Sequence, residues 1–359
     1  MSKRVITAID EVTPAWLTQV LTGSGGLIAG EVTAFDADAG SGNWSSNAIL
    51  HLRYSDDAAG HKPPRLFLKL VNTDLGDGEW FGPSEVDYYT RDYRDVPDAP
   101  LVHCYSAAYA RELHRYHLLL DDLSPTHLSA GDKPPTLAYG LALAEGFAAL
   151  HARWWGAARL AEADAPIHDA DHIRRFVAIA APGVDYLLDG AGHLLEPHWP
   201  DLMRDLFAHL PTALVTRAGD DNGFTLIHGD AGEYNILVPR QGDRPIYLID
   251  RQPFDWSLTT WLGAYDLAYA MVIDWDTDLR RALEEPILRR YHAELLRRGV
   301  TGYRWERLYD DYRLGTATTV TVATEYCRGG ISERWWRFGP TMLRRTLIAC
   351  DDLRCAELW

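Results

Sequence analysis

The stretch 226–252, LIHGDAGEYNILVPRQGDRPIYLIDRQ, constrains the fold more than any other part of the chain. Two apolar runs in it, Ile236–Val238 and Ile246–Ile249, are typical of strands, and the polar turn between them predicts a β-hairpin. Asn235 stands where the chain enters the first strand, and Asp250 stands where it leaves the second. Because one strand of a hairpin begins near the place where the other ends, we expect both side chains at the same end.

The side chains gathered at this end are suited to a metal ion and a reacting hydroxyl. A carboxylate and an amide supply hard oxygen ligands, which suit Mg²⁺ when it also keeps waters and binds substrate phosphates. Asp230 precedes Asn235 by five positions and would lie beside that metal as a base or an orienting group for an attacking hydroxyl. Taken singly, each residue is more typical of a turn or a strand end, so the prediction depends on order and spacing.

The ordered set H-G-D-x-x-x-x-N, followed fifteen residues later by I-D, resembles the catalytic segment of the aminoglycoside phosphotransferase and choline kinase-like superfamily, distant relatives of protein kinases. The resemblance implies that Asp230 is the catalytic base and that Asn235 and Asp250 bind Mg²⁺. It gives His228 a structural role in packing the loop. Arg251–Gln252 stand where protein kinases have Phe-Gly, which favours a small-molecule kinase.

A lysine and a glutamate upstream fit the same resemblance. The apolar run 64–71, PRLFLKLV, predicts a strand that carries Lys69, and Glu85 follows in the first turn of a helix opened by Pro83 or Ser84. In kinases a strand lysine paired with a helix glutamate is held on the α- and β-phosphates of the nucleotide. The alternative is a lysine that extends from a sheet edge to solvent and a glutamate that favours a helix N-terminus.

The segment 39–47, AGSGNWSSN, lies between two predicted strands directly before the Lys69 strand. Its glycines permit close approach of the backbone to a phosphate, and its serines add hydrogen-bond donors. It has neither the G-x-G-x-x-G pattern nor the G-K-[ST] of a P-loop, and an ordinary hairpin is the alternative. Ser41 and Gly42 are our candidate contacts to the nucleotide.

An apolar strand within 115–126 runs into the acidic pair that precedes Leu123, and the resemblance implies that this is the hinge between the lobes. Asp122 and Leu123 would then bind the adenine edge through their backbone. Apolar residues recur at three-to-four spacing through 136–155, which predicts a long helix ending in LHARWW. The acidic pair and this ending resemble the ecdysteroid kinase-like branch, although His151 is more typical of a buried histidine with satisfied hydrogen bonds.

The stretch 257–272 follows the hairpin, and its Gly263 and Asp266 match the superfamily's small residue and aspartate. The resemblance gives Asp266 the structural task of bracing the catalytic loop through its backbone. From residue 274 onward the pattern is helical, and these helices are expected to wall the acceptor site. Candidate acceptor contacts there, with core packing as the alternative for the tryptophans, are Trp335, Trp336, Asp274, Asp276 and Glu325.

Composition limits the remaining classes of function. The formal net charge of −16 disfavours partners such as nucleic acid and anionic membrane, although it allows an acidic cleft for a cationic substrate. No apolar window of eighteen residues and no signal-peptide core is found, and the four cysteines lack metal-site spacing. We therefore expect a cytoplasmic protein, a monomer or homodimer, with reduced thiols.

The sequence as a whole predicts an α+β, two-lobe protein-kinase-like fold. Residues 1–122 would form the nucleotide-binding lobe, an antiparallel sheet with one main helix, and residues 123–359 a larger, mostly helical lobe. The predicted reaction is transfer of the γ-phosphoryl group of ATP or GTP, with Mg²⁺, to a hydroxyl of a small molecule such as an aminoglycoside or other antibiotic, an amino alcohol, a sugar or a steroid. Two alternatives stay open: a Mg²⁺-dependent phosphohydrolase, which would not need Lys69 and Glu85, and a nucleotide-binding scaffold without turnover.

Overall fold

A computed structural model describes residues 4–42, 45–76 and 79–359. The chain divides into two compact units, Met1–Asp95 with Leu101–Leu128 and Val96–Pro100 with Ser129–Trp359. The first unit contains an antiparallel sheet, and the second is larger and mostly helical. The predicted α+β class is therefore confirmed.

The first unit is built on antiparallel strands. The described strands up to Ser129 are β1 (Leu27–Ala29), β2 (Val32–Ser41), β3 (Ser45–Tyr54), β4 (Ala59–Gly60), β5 (Arg65–Asn72), β6 (Asp74–Gly76), β7 (Glu79–Trp80), β8 (Cys104–Ala110), β9 (Arg115–Asp121) and β10 (His127–Ser129). Five of them form the main sheet in the order β2-β3-β5-β9-β8, and β5 is central in it. Two-stranded ribbons, β1 with β4 and β6 with β7, complete the described sheets of this unit.

Strand alternation decides which side chains of β5 enter the core. Leu66, Leu68 and Leu70 are buried in one cluster with residues of helix α1 (Pro14–Gly23). Because successive side chains of a strand point to opposite faces, Lys69 lies on the other face of the sheet. Helix α2 (Ser84–Asp87) begins at the predicted residue and continues as a π-helical turn to Asp92.

The second unit consists mainly of helices. They are α3 (Leu137–Arg153), α4 (Ala157–Glu162), α5 (Ala170–Ala180), α6 (Pro182–Ala191), α7 (Trp199–Arg217), α8 (Ala264–Ala268), α9 (Thr277–Arg297), α10 (Trp305–Glu325) and α11 (Glu333–Asp352). Two antiparallel strand pairs lie among them: β11 (Phe224–Leu226) with β14 (Thr260–Leu262), and β12 (Ile236–Pro239) with β13 (Tyr247–Leu248). A π-helical turn, Tyr269–Ile273, directly extends α8. Within the described residues, no helix combines the length and the apolar character that spanning a membrane requires.

Helix α3 confirms the helix predicted over 136–155, with one difference at its start. The Thr136 hydroxyl accepts a hydrogen bond from the Tyr139 amide (3.2 Å) and caps the helix, as such side chains commonly do. Leu137, the first residue of the periodic apolar pattern, is 42% exposed. The apolar face that enters the core is formed by later residues such as Leu143, Phe147 and Leu150.

Candidate active site

The predicted hairpin is present and places two candidate metal ligands at one end. Ile236 of β12 lies opposite Leu248 of β13, and the Ile249 amide donates to the Asn235 carbonyl (2.9 Å). Asp250 follows directly and adopts a left-handed backbone conformation, with φ of 57°. Non-glycine residues rarely adopt this conformation, and such residues concentrate at functional sites.

Asp230 is half-buried and held through both carboxylate oxygens. The Tyr269 hydroxyl donates to Oδ1 (2.7 Å), and the Asn235 amide nitrogen donates to Oδ2 (3.1 Å) and to the Asp230 carbonyl (2.8 Å). Burial raises the pKa of Asp230 to about 6, and the charge of Asp250 acts in the same direction, while the hydrogen bonds from Tyr269 and Asn235 oppose them. This shift makes Asp230 a stronger base than an ordinary aspartate and brings its pKa closer to neutral pH, which suits a general base.

Asp266 braces the start of the loop 228–235 through its backbone, as predicted. Its fully buried carboxylate accepts the backbone amides of His228 (2.7 Å) and Gly229 (2.8 Å) and also contacts His151 Nε2 (3.0 Å). Burial by itself raises the pKa of Asp266, but these hydrogen bonds outweigh it and hold the pKa below its ordinary value. His151 and His228 are both buried and hydrogen-bonded, which confirms the structural roles assigned to them.

Two further contacts to the loop were not predicted from the sequence. Tyr269 contacts the Asp230 carboxylate, and Asp274 Oδ2 accepts the backbone amide of Glu233 (2.7 Å). Tyr269 stands three residues after Asp266, so helical spacing alone places both on one face and could have indicated it. Asp274 stands five residues beyond Tyr269, and an α-helical pattern places residues so spaced on different faces.

In the first unit, Lys69 and Glu85 form the predicted ion pair. Lys69 Nζ lies 2.8 Å from Glu85 Oε2 and 3.0 Å from Oε1. The Tyr116 hydroxyl also donates to Oε2 (2.8 Å), and Glu85 is only 3% exposed. The glutamate is therefore fixed from two directions and holds the lysine ammonium on its face of the sheet.

The other predicted nucleotide contacts lie at the ends of strands. Ser41 pairs with Ser46, and the Gly42 amide donates to the Ser45 carbonyl (2.8 Å), so this segment is a hairpin. Its turn residues 43 and 44 lie outside the described residues.

Asp122 and Leu123 follow the end of β9. The Asp122 carboxylate is bound to Arg65 (2.8 Å) and to the Ser124 amide (3.0 Å), and the Leu123 carbonyl accepts the amides of Thr126 (2.9 Å) and His127 (2.8 Å). The side chain of Asp122 and the carbonyl of Leu123 thus shape the turn, and the nucleotide contact that the resemblance implies at these residues stays a prediction.

The predicted acceptor contacts have different surroundings. Trp335 is 1% exposed, because its side of α11 faces inward. It belongs to the core, the alternative given above for the tryptophans, and is therefore removed from the candidate acceptor contacts. Trp336 is 45% exposed on the same helix. Asp276 caps α9 by accepting the Asp278 amide (3.0 Å), and Glu325 is paired with Arg328 (3.2 Å).

Among residues 4–42, 45–76 and 79–359, no cluster of three or more His, Cys, Asp or Glu side chains could hold a metal ion by itself. A site of one carboxylate and one amide nevertheless suits Mg²⁺ when nucleotide phosphates supply further ligands. The Asn235 amide nitrogen is committed to Asp230, which leaves the amide oxygen as the candidate ligand. The donor set of Asn235 and Asp250 therefore fits the predicted ion.

Comparison with family models finds no match, and comparison with curated protein sequences finds none. Solved structures do match. A candidate aminoglycoside phosphotransferase from Ralstonia eutropha is 14% identical, covering 95% of this chain and 98% of that chain, with a TM-score of 0.56. An ethanolamine kinase from Plasmodium vivax is 12% identical over 88% of this chain and 82% of that chain, with a TM-score of 0.52. A glucosamine kinase is 13% identical over 97% and 98%, also with a TM-score of 0.52.

The chain therefore shares its fold with these aminoglycoside phosphotransferase, ethanolamine kinase and glucosamine kinase structures, and the predicted kinase-like fold is confirmed. None of these three proteins is an ecdysteroid kinase-like protein by name, so that narrower resemblance stays a prediction.

Proposed function

We propose that the protein is a small-molecule kinase that transfers the γ-phosphoryl group of ATP or GTP to a hydroxyl group. The observation that carries the proposal is the Lys69–Glu85 pair, with its 2.8 Å contact and its buried glutamate. A phosphohydrolase built on Asp230, Asn235 and Asp250 alone has no need of this pair. A kinase needs it, because the glutamate fixes the lysine that holds the donor phosphates.

Residues of the first unit would bind the nucleotide, and residues of the second unit would bind the metal ion and the acceptor. Lys69 would hold the α- and β-phosphates, with Ser41 and Gly42 as further contacts, while the backbone at Asp122 and Leu123 would bind the base. Asn235 and Asp250 would hold Mg²⁺, which neutralises charge on the phosphates when bound. Asp230 would orient the acceptor hydroxyl and receive its proton. Because the transition state of phosphoryl transfer is loose, positioning by Asp230 matters more than its strength as a base.

Amino alcohols, amino sugars and aminoglycosides are the acceptors that we propose to test first. The structures with the same fold include an ethanolamine kinase and a glucosamine kinase. A net charge of −16 also favours cationic compounds over anionic ones through long-range attraction. We further propose a cytoplasmic monomer or homodimer.

The test is nucleotide consumption against a panel of hydroxylated compounds, with ATP and GTP run separately and a no-acceptor control. Mass spectrometry of the acceptor identifies a phosphorylated product. Lys69→Met serves as the matched variant, and its product formation is expected to be lost. Equal nucleotide hydrolysis with and without acceptor, unaffected by Lys69→Met, would favour the phosphohydrolase. Nucleotide binding without turnover on any compound would favour the scaffold.

A further inference from the structure

Three residues along one helix contact the loop 228–235. Asp266 in α8 accepts the amides of His228 and Gly229, Tyr269 donates to Asp230 Oδ1 (2.7 Å), and Asp274 accepts the Glu233 amide (2.7 Å). The π-helical turn 269–273 makes this possible, since it shifts the helical register so that Asp274 lies on the same side as Tyr269.

The contact made by Asp274 falls on the part of the loop that carries a candidate metal ligand. Glu233 begins a single 3-10 turn that ends at Asn235, and the Asn235 amide donates to the Gly232 carbonyl (2.9 Å). The Glu233 carbonyl in turn accepts the Ser129 hydroxyl (2.9 Å). The peptide groups on both sides of Glu233 are thus anchored, and they fix the direction from which Asn235 projects.

The negative charge of Asp274 is in surroundings that are unfavourable for the stability of the fold. It stands at the C-terminal end of a helix, where the helix dipole disfavours a negative charge. Burial raises the pKa of this carboxyl to about 7, and the charges of Glu233 and Asp230 add to the increase. Arg345, whose guanidinium donates to the Asp274 carbonyl (2.6 Å), opposes it. A carboxyl kept in such surroundings is typical of a functional site.

We propose that Asp274 is a positioning residue, which rests on the proposed function: its carboxylate holds the Glu233–Asn235 turn and thereby aims the Asn235 amide oxygen at the metal of the bound nucleotide. Outer groups that orient metal ligands commonly change metal affinity by about 10- to 100-fold when they are removed. Asp274 would act only through the loop and would touch neither the metal nor the acceptor.

The test measures binding of ATP with Mg²⁺, and of ATP with EDTA, by calorimetry without any acceptor. Asp274→Ala is expected to weaken MgATP binding about tenfold, the low end for such groups, and to leave metal-free ATP binding unchanged. Asp274→Asn is expected to stay within about threefold of the wild type, because its amide oxygen can still accept the Glu233 amide. Asn235→Ala is the positive control. Asp278→Ala, which removes an exposed carboxylate nearby, is the matched negative control.

Several outcomes would overturn the proposal. They are wild-type MgATP affinity in Asp274→Ala, an equal loss in the Ala and Asn variants, and a loss confined to the KM of an acceptor.

If Asp274→Ala does not fold, Ser129→Ala tests the second anchor of Glu233 and is expected to weaken MgATP binding in the same direction. No change in MgATP binding in Ser129→Ala overturns the proposal as well. A wild-type protein that binds no nucleotide would instead overturn the proposed function. Amide hydrogen exchange at Glu233 distinguishes failure of this proposal from failure of the proposed function. Faster exchange of the Glu233 amide in Asp274→Ala shows that Asp274 anchors this amide, whether or not the protein binds nucleotide.

Discussion

At the scale of single residues, Asp230 is the group whose surroundings best match a catalytic task. We expect Asp230→Asn to lower kcat by at least about 10²-fold, the low end for a positioned base, and to leave MgATP affinity largely intact. The amide oxygen can still accept from Tyr269, and Asn235 keeps its hydrogen bond to the backbone carbonyl of residue 230, so the loop should keep its shape. Steady-state kinetics and calorimetry on the same preparation check both parts. Retained turnover would remove Asp230 from the mechanism.

The charge of Asp274 has a second consequence that does not depend on function. Its pKa is raised from 3.8 to about 7 in the folded protein, so the folded state binds this proton more tightly than the unfolded state. The resulting stabilisation is complete at pH values below the unfolded pKa and is lost as the pH rises through about 7.

Relative to Asp274→Asn, the free energy of unfolding of the wild type should therefore fall between pH 5 and pH 8. Urea unfolding of both proteins at each pH gives the difference, in which the titration of groups remote from Asp274 cancels. A difference that stays constant across this range would contradict the raised pKa.

At the scale of elements, Gly263 allows the start of α8 to pack closely against two buried side chains. Gly263 precedes α8, and a Cβ atom there would overlap the Tyr291 hydroxyl and lie 2.8 Å from His151 Nδ1. These two groups hold each other by a 2.8 Å hydrogen bond, and His151 also contacts Asp266. We expect Gly263→Ala to lower the free energy of unfolding by about 1–3 kcal/mol, as overpacking of a core commonly does.

Chemical denaturation measures this loss, and Gly23→Ala is the matched control, because nothing lies within 4 Å of a Cβ atom at that position. Equal stability of the two variants would show that the space beside Gly263 can relax. A loss of activity in Gly263→Ala beyond its loss of folded protein would show that the brace at Asp266 is disturbed as well.

The helices and strands show which features of the fold could be predicted from the sequence and which could not. The hairpin, α3 and the helix carrying Glu85 were predicted because alternation, helical spacing and capping residues are local signals. The contact of Asp274 with the loop was not, because a π-helical turn shifts the face of a helix without changing its composition. Trp335 and Trp336 could not be separated either, since only the packing of α11 decides which of two neighbours is buried.

At the scale of the whole molecule, each unit contains its own prearranged polar group. The first unit fixes Lys69 with Glu85, and the second fixes Asp230 with Tyr269 and Asn235. The Lys69–Glu85 pair and the position of Asp230 beside Asn235 could be inferred from the order of the motifs along the chain. The Tyr269 contact was not inferred, and the identity of the acceptor could not be, since a fold does not determine its substrate.

The coupling of Lys69 with Glu85 distinguishes the kinase from the phosphohydrolase for the molecule as a whole. If Glu85 acts only by fixing Lys69 on the donor phosphates, removing either residue damages the same step, and the two effects should not add. We expect a large loss of kcat/KM in Lys69→Met that Glu85→Gln barely deepens in the double variant. The measurement uses all three variants with an acceptor found by the panel, and Tyr116→Phe tests whether the second contact of Glu85 contributes. Two small effects that simply add would show that the pair does not act as a unit, and would shift the assignment towards the phosphohydrolase.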